Sequence, residues 1–170
     1  MTEVLIRPAL PKDVRAIAEI IRPLALQRVL LGKDLVDLYE AIQEFVVAED
    51  DGVIVGFGAL HVMWEDLAEV RTLAVAESRL GTGLGSRLLK ALIERARNLE
   101  LERVFCLTFE TEFFERHGFA EMDDAPLDPE IYAELLRSTD DGVAEFLDLA
   151  RVKPNTLGNT RMILDLTGSC

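Results

Sequence analysis

A glycine-rich loop between a predicted strand and a predicted helix constrains this chain more than any other feature. Residues 69–75 have the pattern of a strand, residues 81–86 read Gly-Thr-Gly-Leu-Gly-Ser, and an amphipathic helical pattern runs from Leu84 to Leu99. Glycines let the backbone approach a ligand closely, and the first amides of a helix lack an intrahelical acceptor. Because the helix dipole is positive at this end, the free amides predict a diphosphate site.

The loop does not match two common nucleotide-binding motifs. A P-loop closes on Gly-Lys followed by Ser or Thr, whereas this chain continues Gly85-Ser86-Arg87. The dinucleotide motif requires Gly or Ala three residues after its second glycine, but Ser86 stands three residues after Gly83 and Leu88 three after Gly85. A loop whose glycines serve only a tight turn remains the alternative to a phosphate site.

The charge of the chain narrows its possible partners. The 18 Lys and Arg residues against 31 Asp and Glu leave a net charge of -13. This balance argues against nucleic acid or an anionic membrane as a partner, because their phosphates attract clustered cations. An anionic small molecule therefore needs local donors, which backbone amides can supply.

Length and cysteine content indicate one ordinary globular domain. The 170 residues suit a single domain over residues 1–170, and no apolar run approaches the roughly 18 residues of a membrane helix. We find no secretion signal, and therefore expect a cytoplasmic protein. Cys106 and Cys170 predict neither a disulfide framework nor a metal site.

Hydrophobic periodicity predicts a mixture of strands and helices. A hairpin turn is indicated at residues 50–52, and consecutive strands follow it as a meander. The predicted strands cover residues 4–7, 45–48, 53–60, 69–75, 103–108 and 160–166. The predicted helices cover residues 13–28, 35–42, 84–99, 110–116, 128–137 and 143–149.

With these motifs the chain resembles the GNAT superfamily of acetyltransferases over nearly its whole length. Family members carry a loop Gln/Arg-x-x-Gly-x-Gly/Ala, and Gly83 and Gly85 match its glycines, whereas Leu80 occupies the Gln/Arg position and Arg79 is one residue off. The resemblance implies an α/β (α+β) fold with a mixed, mostly antiparallel sheet flanked by helices. It also implies acetyl-CoA as acetyl donor and no metal. The residues that it assigns to acetyl-CoA are Leu73, Ala74, Val75, Leu80, Gly81, Thr82, Gly83, Leu84, Gly85, Ser86, Phe113 and Phe114.

A second segment, residues 113–119, is similar to another signature of the family. Many members have a tyrosine at the position of Phe114, and there it protonates the leaving thiolate. Phenylalanine has no proton to give, so the acid must lie elsewhere. This substitution also keeps open a catalytically silent acetyl-CoA or amino-acid sensor.

Several segments resemble the acetyltransferase domain of short, single-domain N-acetylglutamate synthases. The resemblance implies acetylation of the α-amino group of L-glutamate, the first step of arginine biosynthesis, and this fold often forms dimers. Acetylation of glutamine, of another amino acid, or of a protein amine remains an alternative. The matching segments are residues 30–33, 69–75, 105–108, 153–155 and 159–161.

The chemistry requires a base for the substrate ammonium, and Glu69 is our prediction, with a strand-edge carboxylate that is solvated or paired with Arg71 as the alternative. The resembled synthases are thought to use a glutamate at this position, and Glu110 is the reserve. Thr108, at the end of its strand, could donate or relay a proton to the thioester sulfur, although an ordinary strand threonine is an equal reading. His61 and His117 also titrate near neutral pH, but we rank both below the glutamates.

Glutamate also needs cations or polar donors for its two carboxylates. Lys33 occupies a position where the resembled synthases carry a substrate-binding arginine, and each of the charged candidates could instead be a solvated surface residue. We expect Glu69 and Arg71 to share one strand face, because strand side chains alternate. The predicted substrate-binding residues are Leu31, Lys33, Arg71, Lys153, Asn159, Thr160 and Arg161.

Overall fold

The structure is a computed structural model that describes residues 3–27, 32–122, 128–140, 143, 146–147 and 159–168. Within these ranges the strands are β1 (Leu5–Pro8), β2 (Phe45–Asp50), β3 (Val53–Trp64), β4 (Leu67–Val75), β5 (Arg103–Thr108), β6 (Ala120–Glu121) and β7 (Thr160–Asp165). The helices are α1 (Val14–Leu26), α2 (Leu35–Glu40), α3 (Leu84–Asn98), α4 (Thr111–Glu115) and α5 (Pro129–Leu135). Short 3-10 turns cover Pro11–Asp13, Ile42–Glu44 and Glu77–Arg79.

The strands form one sheet in the order β1-β2-β3-β4-β5-β7-β6. The β4–β5 pairing is parallel, whereas β1–β2, β2–β3, β5–β7 and β6–β7 are antiparallel. The predicted mixed, mostly antiparallel sheet with flanking helices is therefore confirmed. By its contacts the chain divides into two compact units, which we call the first unit (residues 1–61 and 70–99) and the second unit (residues 62–69 and 100–170).

Most predicted elements differ from the observed ones only at their ends. Strand β3 continues to Trp64, and α2 stops at Glu40 before a 3-10 turn. The two-residue strand β6 was not predicted, because two residues show no periodicity. The predicted helix over 143–149 falls mostly outside the described residues. Among the helices that the structure describes, none is long and apolar enough to cross a membrane.

The core of the first unit lies between α1, α2 and strands β2 and β3. Alternation along the strands turns one set of side chains toward the helices. On α1 the buried residues Val14, Ile17 and Ile21 recur at helical spacing and meet this set. The strand and α2 residues of the cluster are Leu38, Phe45, Val47, Phe57 and Ala59.

Helix α3 approaches β3 closely at Gly58. A Cβ atom at this position would stand 2.8 Å from Leu92 Cδ1 and 3.0 Å from Leu73 Cδ1. The absence of a side chain therefore lets the helix that follows the glycine loop lie directly on the strand.

Replacing Gly58 by Ala is expected to lower the free energy of unfolding by about 1–3 kcal/mol, because the added methyl overpacks a filled core. Urea denaturation of both proteins measures the difference. Gly32→Ala is the control, since a Cβ there meets only Ala25 Cβ at an ordinary 3.7 Å. Equal stability of the Gly58 variant and the wild-type protein would contradict the close packing.

An ionic cluster around Arg7 holds the start of α1 against β1 and β2. Arg7 Nη1 lies 2.8 Å from Asp13 Oδ2, and Arg7 Nε donates to Glu49 Oε2 at 2.8 Å. The amide of Leu10 also donates to Asp13 Oδ2, at 2.8 Å. The hydrogen bond from Arg7 is the largest cause that lowers the pKa of Asp13, a residue only 5% exposed.

Because the folded-state pKa of Asp13 is depressed, its contribution to stability is present above the unfolded value, roughly pH 4, and is lost as the pH falls through the folded value. We expect Asp13→Asn to lower the free energy of unfolding by about 1.5–3 kcal/mol at pH 7. The deficit should shrink as the pH falls below about 4. Denaturation at several pH values tests this, and a deficit that does not change with pH would contradict it.

The core of the second unit lies on one face of β4 and β5. Phe105 stacks on Phe146 with 4.1 Å between ring centroids. Met63, Leu67 and Leu135 join the same cluster. The register places Glu69 of β4 beside Phe105 of β5, and Phe105 beside Ile163 of β7. Residues paired in this register have their side chains on the same face of the sheet.

Candidate active site

The glycine loop of the first unit contains two glycines in the left-handed backbone region. Gly81 and Gly83 have φ angles of 73° and 80°, and Gly83 is the N-cap of α3. Nothing lies within 4 Å of a Cβ built on either glycine, so the positive φ and not crowding requires glycine there. The amides at the start of α3 have no acceptor one turn earlier and are available to a ligand.

The basic side chains beside the loop have partners within the protein. Arg79 forms an ion pair with Asp50, and Arg87 Nη2 donates to the carbonyl oxygen of Val4 at 2.7 Å. Leu80, at the Gln/Arg position of the family motif, is 64% exposed and apolar. The main-chain N–H groups of the loop therefore remain the donors that we predict for an anion.

Strand β4 contains a backbone feature that the sequence did not reveal. Thr72 has a φ angle of 56°, a conformation that a β-branched residue rarely adopts. Such strain is held in place by the surrounding fold and concentrates at functional sites. The half-buried residues Leu73, Ala74 and Val75, predicted to contact acetyl-CoA, follow directly.

Glu69 is a buried carboxylate in the second unit. Its residue is 4% exposed, and it is the last β4 residue in the parallel pairing with β5. Burial is the main cause that raises the pKa of the Cys106 thiol, and the charge of Glu69 is the second cause. The Glu69 carboxylate therefore lies near the buried Cys106 side chain, in a position shielded from bulk water.

The register brings Arg161 to the face of the sheet that carries Glu69. Arg161 pairs with Leu107, and its guanidinium carbon lies 6.0 Å from the centroid of the Phe146 ring, which covers this face. Residues directly opposite in a sheet share a face. Thr108 and Thr160 pair with each other one residue away and so point to the opposite face. The structure thus groups Glu69 with Arg161, and Thr108 with Thr160.

Thr108 has a defined hydrogen-bond arrangement. Its Oγ1 accepts a hydrogen bond of 2.8 Å from the amide of Glu110. Since the oxygen is the acceptor here, the hydroxyl proton stays available for donation elsewhere. Glu110 itself is exposed at the N-cap of α4, a less shielded position than that of Glu69.

The aromatic segment of α4 packs within the second unit. Phe114 is buried and meets Phe113 and Phe119 edge-on, at 5.1 and 5.2 Å between centroids. His117 Nδ1 lies 2.7 Å from the carbonyl oxygen of Phe113, which accepts its hydrogen bond. His61 in the first unit pairs through Nδ1 with Glu44 Oε1 at 2.8 Å. These contacts give both histidines structural partners.

The remaining predicted substrate residues that the structure describes lie at different elements, and of these only Lys33 and Asn159 stand next to the end of one. Lys33 is half-buried one residue before Asp34, the N-cap of α2. Arg71 is half-buried on β4, and Asn159 is half-buried just before β7. Leu31 and Lys153 lie outside the described residues. In the described part of the chain, no three His, Cys, Asp or Glu side chains are placed to hold a metal ion.

Residues 16–119 match the family model described as Acetyltransferase (GNAT) family. The chain is similar to an amino-acid acetyltransferase of Mycobacterium tuberculosis, with 53% identity over 165 residues that cover 95% of this chain and 94% of the relative.

Two solved structures extend the comparison. A Mycobacterium tuberculosis protein in complex with CoA and NLQ superposes with a TM-score of 0.92 at 53% identity, covering 95% of this chain and 99% of that one. N-acetylglutamate synthase from Neisseria gonorrhoeae, complexed with coenzyme A and N-acetyl-glutamate, gives a TM-score of 0.77 at 28% identity. That match covers 98% of this chain but 36% of the synthase.

Proposed function

The chain belongs to the GNAT family of acetyltransferases, and from this membership we propose that it acetylates the α-amino group of L-glutamate. It is an acyltransferase, and acetyl-CoA is its acetyl donor. Acetylation of glutamate would give N-acetylglutamate, the product of the first step of arginine biosynthesis.

The first unit supplies the donors for acetyl-CoA. The main-chain N–H groups from Gly81 to Ser86 bind the diphosphate, assisted by the positive end of the α3 dipole. The backbone of Leu73 to Val75 holds the pantetheine arm and the acetyl carbonyl. The N–H of Val75 is the donor that we assign to the tetrahedral oxyanion.

The second unit supplies the base. Glu69 removes a proton from the substrate ammonium, directly or through one water, so that the nitrogen lone pair can attack the thioester carbon. The carbon–sulfur bond then breaks, and the thiolate takes a proton. That proton is balanced by the second proton that the nitrogen loses as the amide forms. Thr108, which points to the opposite face of the sheet from Glu69, is our candidate to relay a proton to the sulfur from that side, passing its hydroxyl hydrogen on while its oxygen takes up another.

The observation that carries the proposal is the shared face of Glu69 and Arg161. The two residues lie on strands separated by β5, which places them roughly 10 Å apart across the sheet, and the register offsets them by two residues, roughly 7 Å, along the strands. A free amino acid can bridge this span with its amino group toward Glu69 and a carboxylate toward Arg161. Arg161 provides the planar pair of donors that matches a carboxylate.

Two relatives support the choice of acceptor. The Mycobacterium tuberculosis relative carries the name amino-acid acetyltransferase, and the Neisseria gonorrhoeae synthase was solved with N-acetyl-glutamate. Lys33 and Asn159 are further candidates for contacts to the substrate carboxylates. We expect the acceptor to be a small molecule, with no nucleic acid or membrane involved.

A panel of acceptors tests the proposal. Thiol release from acetyl-CoA is followed with L-glutamate, L-glutamine, L-aspartate and peptides with a free N-terminus. We expect the highest kcat/KM with glutamate. A higher value with glutamine or a peptide would contradict the choice of acceptor, and acetyl-CoA binding without turnover of any amine would favour a sensor.

The loop itself gives a separate prediction. Gly83→Ala places a side chain at a φ of 80°, which costs about 1–2 kcal/mol, and the N-cap is expected to shift to relieve it. We expect the KM for acetyl-CoA to rise about tenfold, in line with that cost, while the KM for the amino acid stays the same.

Gly52→Ala is the matched control for the Gly83 variant. Gly52 has a φ of 82° and equally open surroundings, but lies in the β2–β3 turn. The two variants should lose similar stability, and the acetyl-CoA KM should rise clearly more in the Gly83 variant, because Gly52 lies outside the loop and is connected to it only through the neighbouring Asp50. Equal acetyl-CoA KM values in both variants and the wild-type enzyme would contradict a role for the loop amides.

A further inference from the structure

We propose that the ion pair between Arg79 and Asp50 is a positioning device that holds the cofactor loop in its binding conformation. Arg79 then acts on acetyl-CoA through the loop and not by touching its phosphates. The inference depends on the use of acetyl-CoA and is independent of which amine accepts the acetyl group.

The ion pair joins two distant parts of the first unit. Arg79 ends the 3-10 turn two residues before Gly81, and Asp50 ends strand β2 at the hairpin turn. Arg79 Nη2 donates to Asp50 Oδ2. The Asp50 side chain is 18% exposed and that of Arg79 36%, so water only partly screens the pair.

Other hydrogen bonds fix the same stretch of backbone. Thr82 Oγ1 donates to the carbonyl oxygen of Arg79 at 2.7 Å. The amide of Arg79 donates to Ala76 O, and the amide of Ala76 donates to Val55 O on β3, both at 2.8 Å. Arg79 is thus the residue at which the turn, the loop and the hairpin are connected.

The loop needs such support because its two positive-φ glycines are its most freely rotating residues. Gly81 and Gly83 follow Arg79 within four positions. A free loop with two glycines populates many conformations, and affinity falls in proportion to the fraction that can bind. An ion pair that fixes the entry to the loop removes part of this cost before the ligand arrives.

Whether Asp50→Asn weakens or strengthens acetyl-CoA binding distinguishes a positioning role of Arg79 from direct contact with the phosphates. Asp50 is a negative charge close to a loop that binds an anion, so by Coulomb's law its removal should strengthen acetyl-CoA binding. If Asp50 holds Arg79 in place, its removal should weaken binding. If Arg79 instead contacts the phosphates, Asp50→Asn frees the guanidinium and strengthens binding.

Calorimetric titration with acetyl-CoA provides the test, on the wild-type protein and on Asp50→Asn, Arg79→Met and the double variant. We expect each single variant to raise Kd about 2- to 5-fold, because an ion pair this exposed contributes up to about 1 kcal/mol. The Kd of the double variant should not exceed the higher Kd of the two single variants, because each substitution removes the same ion pair. The acetyl-CoA KM should rise with Kd, while the KM for the amino acid stays constant.

Asp51→Asn is the control, since it removes the same charge from the exposed neighbouring residue. It should change Kd less than twofold. Unchanged or tighter binding by Asp50→Asn overturns the proposal, as does an unchanged Kd in both single variants. If the Arg79→Met variant does not fold, the direction in which Asp50→Asn changes the acetyl-CoA Kd still distinguishes positioning from direct contact.

Discussion

Replacing Glu69 by Gln is expected to lower kcat about 10²- to 10⁴-fold, the usual contribution of a positioned general base. Glutamine keeps the size of the side chain and can still form hydrogen bonds, but it cannot take the proton from the substrate ammonium. Steady-state rates with acetyl-CoA and glutamate measure the loss. Calorimetry should show unchanged acetyl-CoA binding, because the proposed diphosphate donors are the amides of residues 81–86.

Glu110→Gln is the control for this experiment, since Glu110 is exposed and is the reserve base. It should retain most of its kcat. A large loss in Glu110→Gln with little loss in Glu69→Gln would transfer the role of base to Glu110. Full activity in both variants would contradict catalysis by either carboxylate.

Replacing Arg161 by Met is expected to raise the KM for glutamate about 10- to 100-fold, the effect of losing one charged hydrogen bond of roughly 1.5–3 kcal/mol. Methionine keeps an unbranched apolar stem beside the Phe146 ring but has no positive charge to meet a carboxylate. The acetyl-CoA KM should remain at the wild-type value. Initial rates at varied concentrations of each substrate separate the two effects.

The matched control is Arg103→Met, which removes the same charge from the same unit. Arg103 starts β5 and lies 2.7 Å from Asp66 through Nη2, so its charge has an acidic neighbour within the protein. We expect no change in the glutamate KM of that variant. Equal increases for both arginine variants would point to overall charge, and no increase for Arg161→Met would remove it from the substrate site.

The order of strand, glycine loop and helix could be predicted from sequence because its information is local, whereas the role of the loop in binding acetyl-CoA stays a prediction. The pattern of strand, glycines and helix lies within residues 69–99, and glycine permits the positive φ angles observed at Gly81 and Gly83. The close approach of α3 to Gly58 depends on a contact between distant segments. Nothing in the spacing of the glycines indicated it.

The arrangement of the catalytic candidates could be predicted only in part. Glu69 and Arg161 were both candidates, but their common face depends on how β4, β5 and β7 pair, and Glu69 and Arg161 are far apart in sequence. The positive φ of Thr72 runs against the preference of threonine, so no propensity predicts it. The Arg79–Asp50 ion pair spans 29 residues and was likewise not evident.

The roles of the individual site residues stay predictions, as does the single-domain assignment. Phe114, at the position where the resembled family has a tyrosine, is buried against Phe113 and Phe119 and has no hydroxyl proton to give. Thr108, with its hydroxyl proton unused by Glu110, is the candidate that the structure offers in its place.

Donation of main-chain N–H groups to the diphosphate of acetyl-CoA is measured most directly by nitrogen-15 NMR of the amides during titration with CoA. The amide resonances of Gly81, Gly83 and Gly85 should shift together and saturate, while those of Gly52 and Gly118 stay in place. Saturable binding of CoA that leaves the three loop glycines unshifted would contradict the assignment of the loop as the diphosphate site.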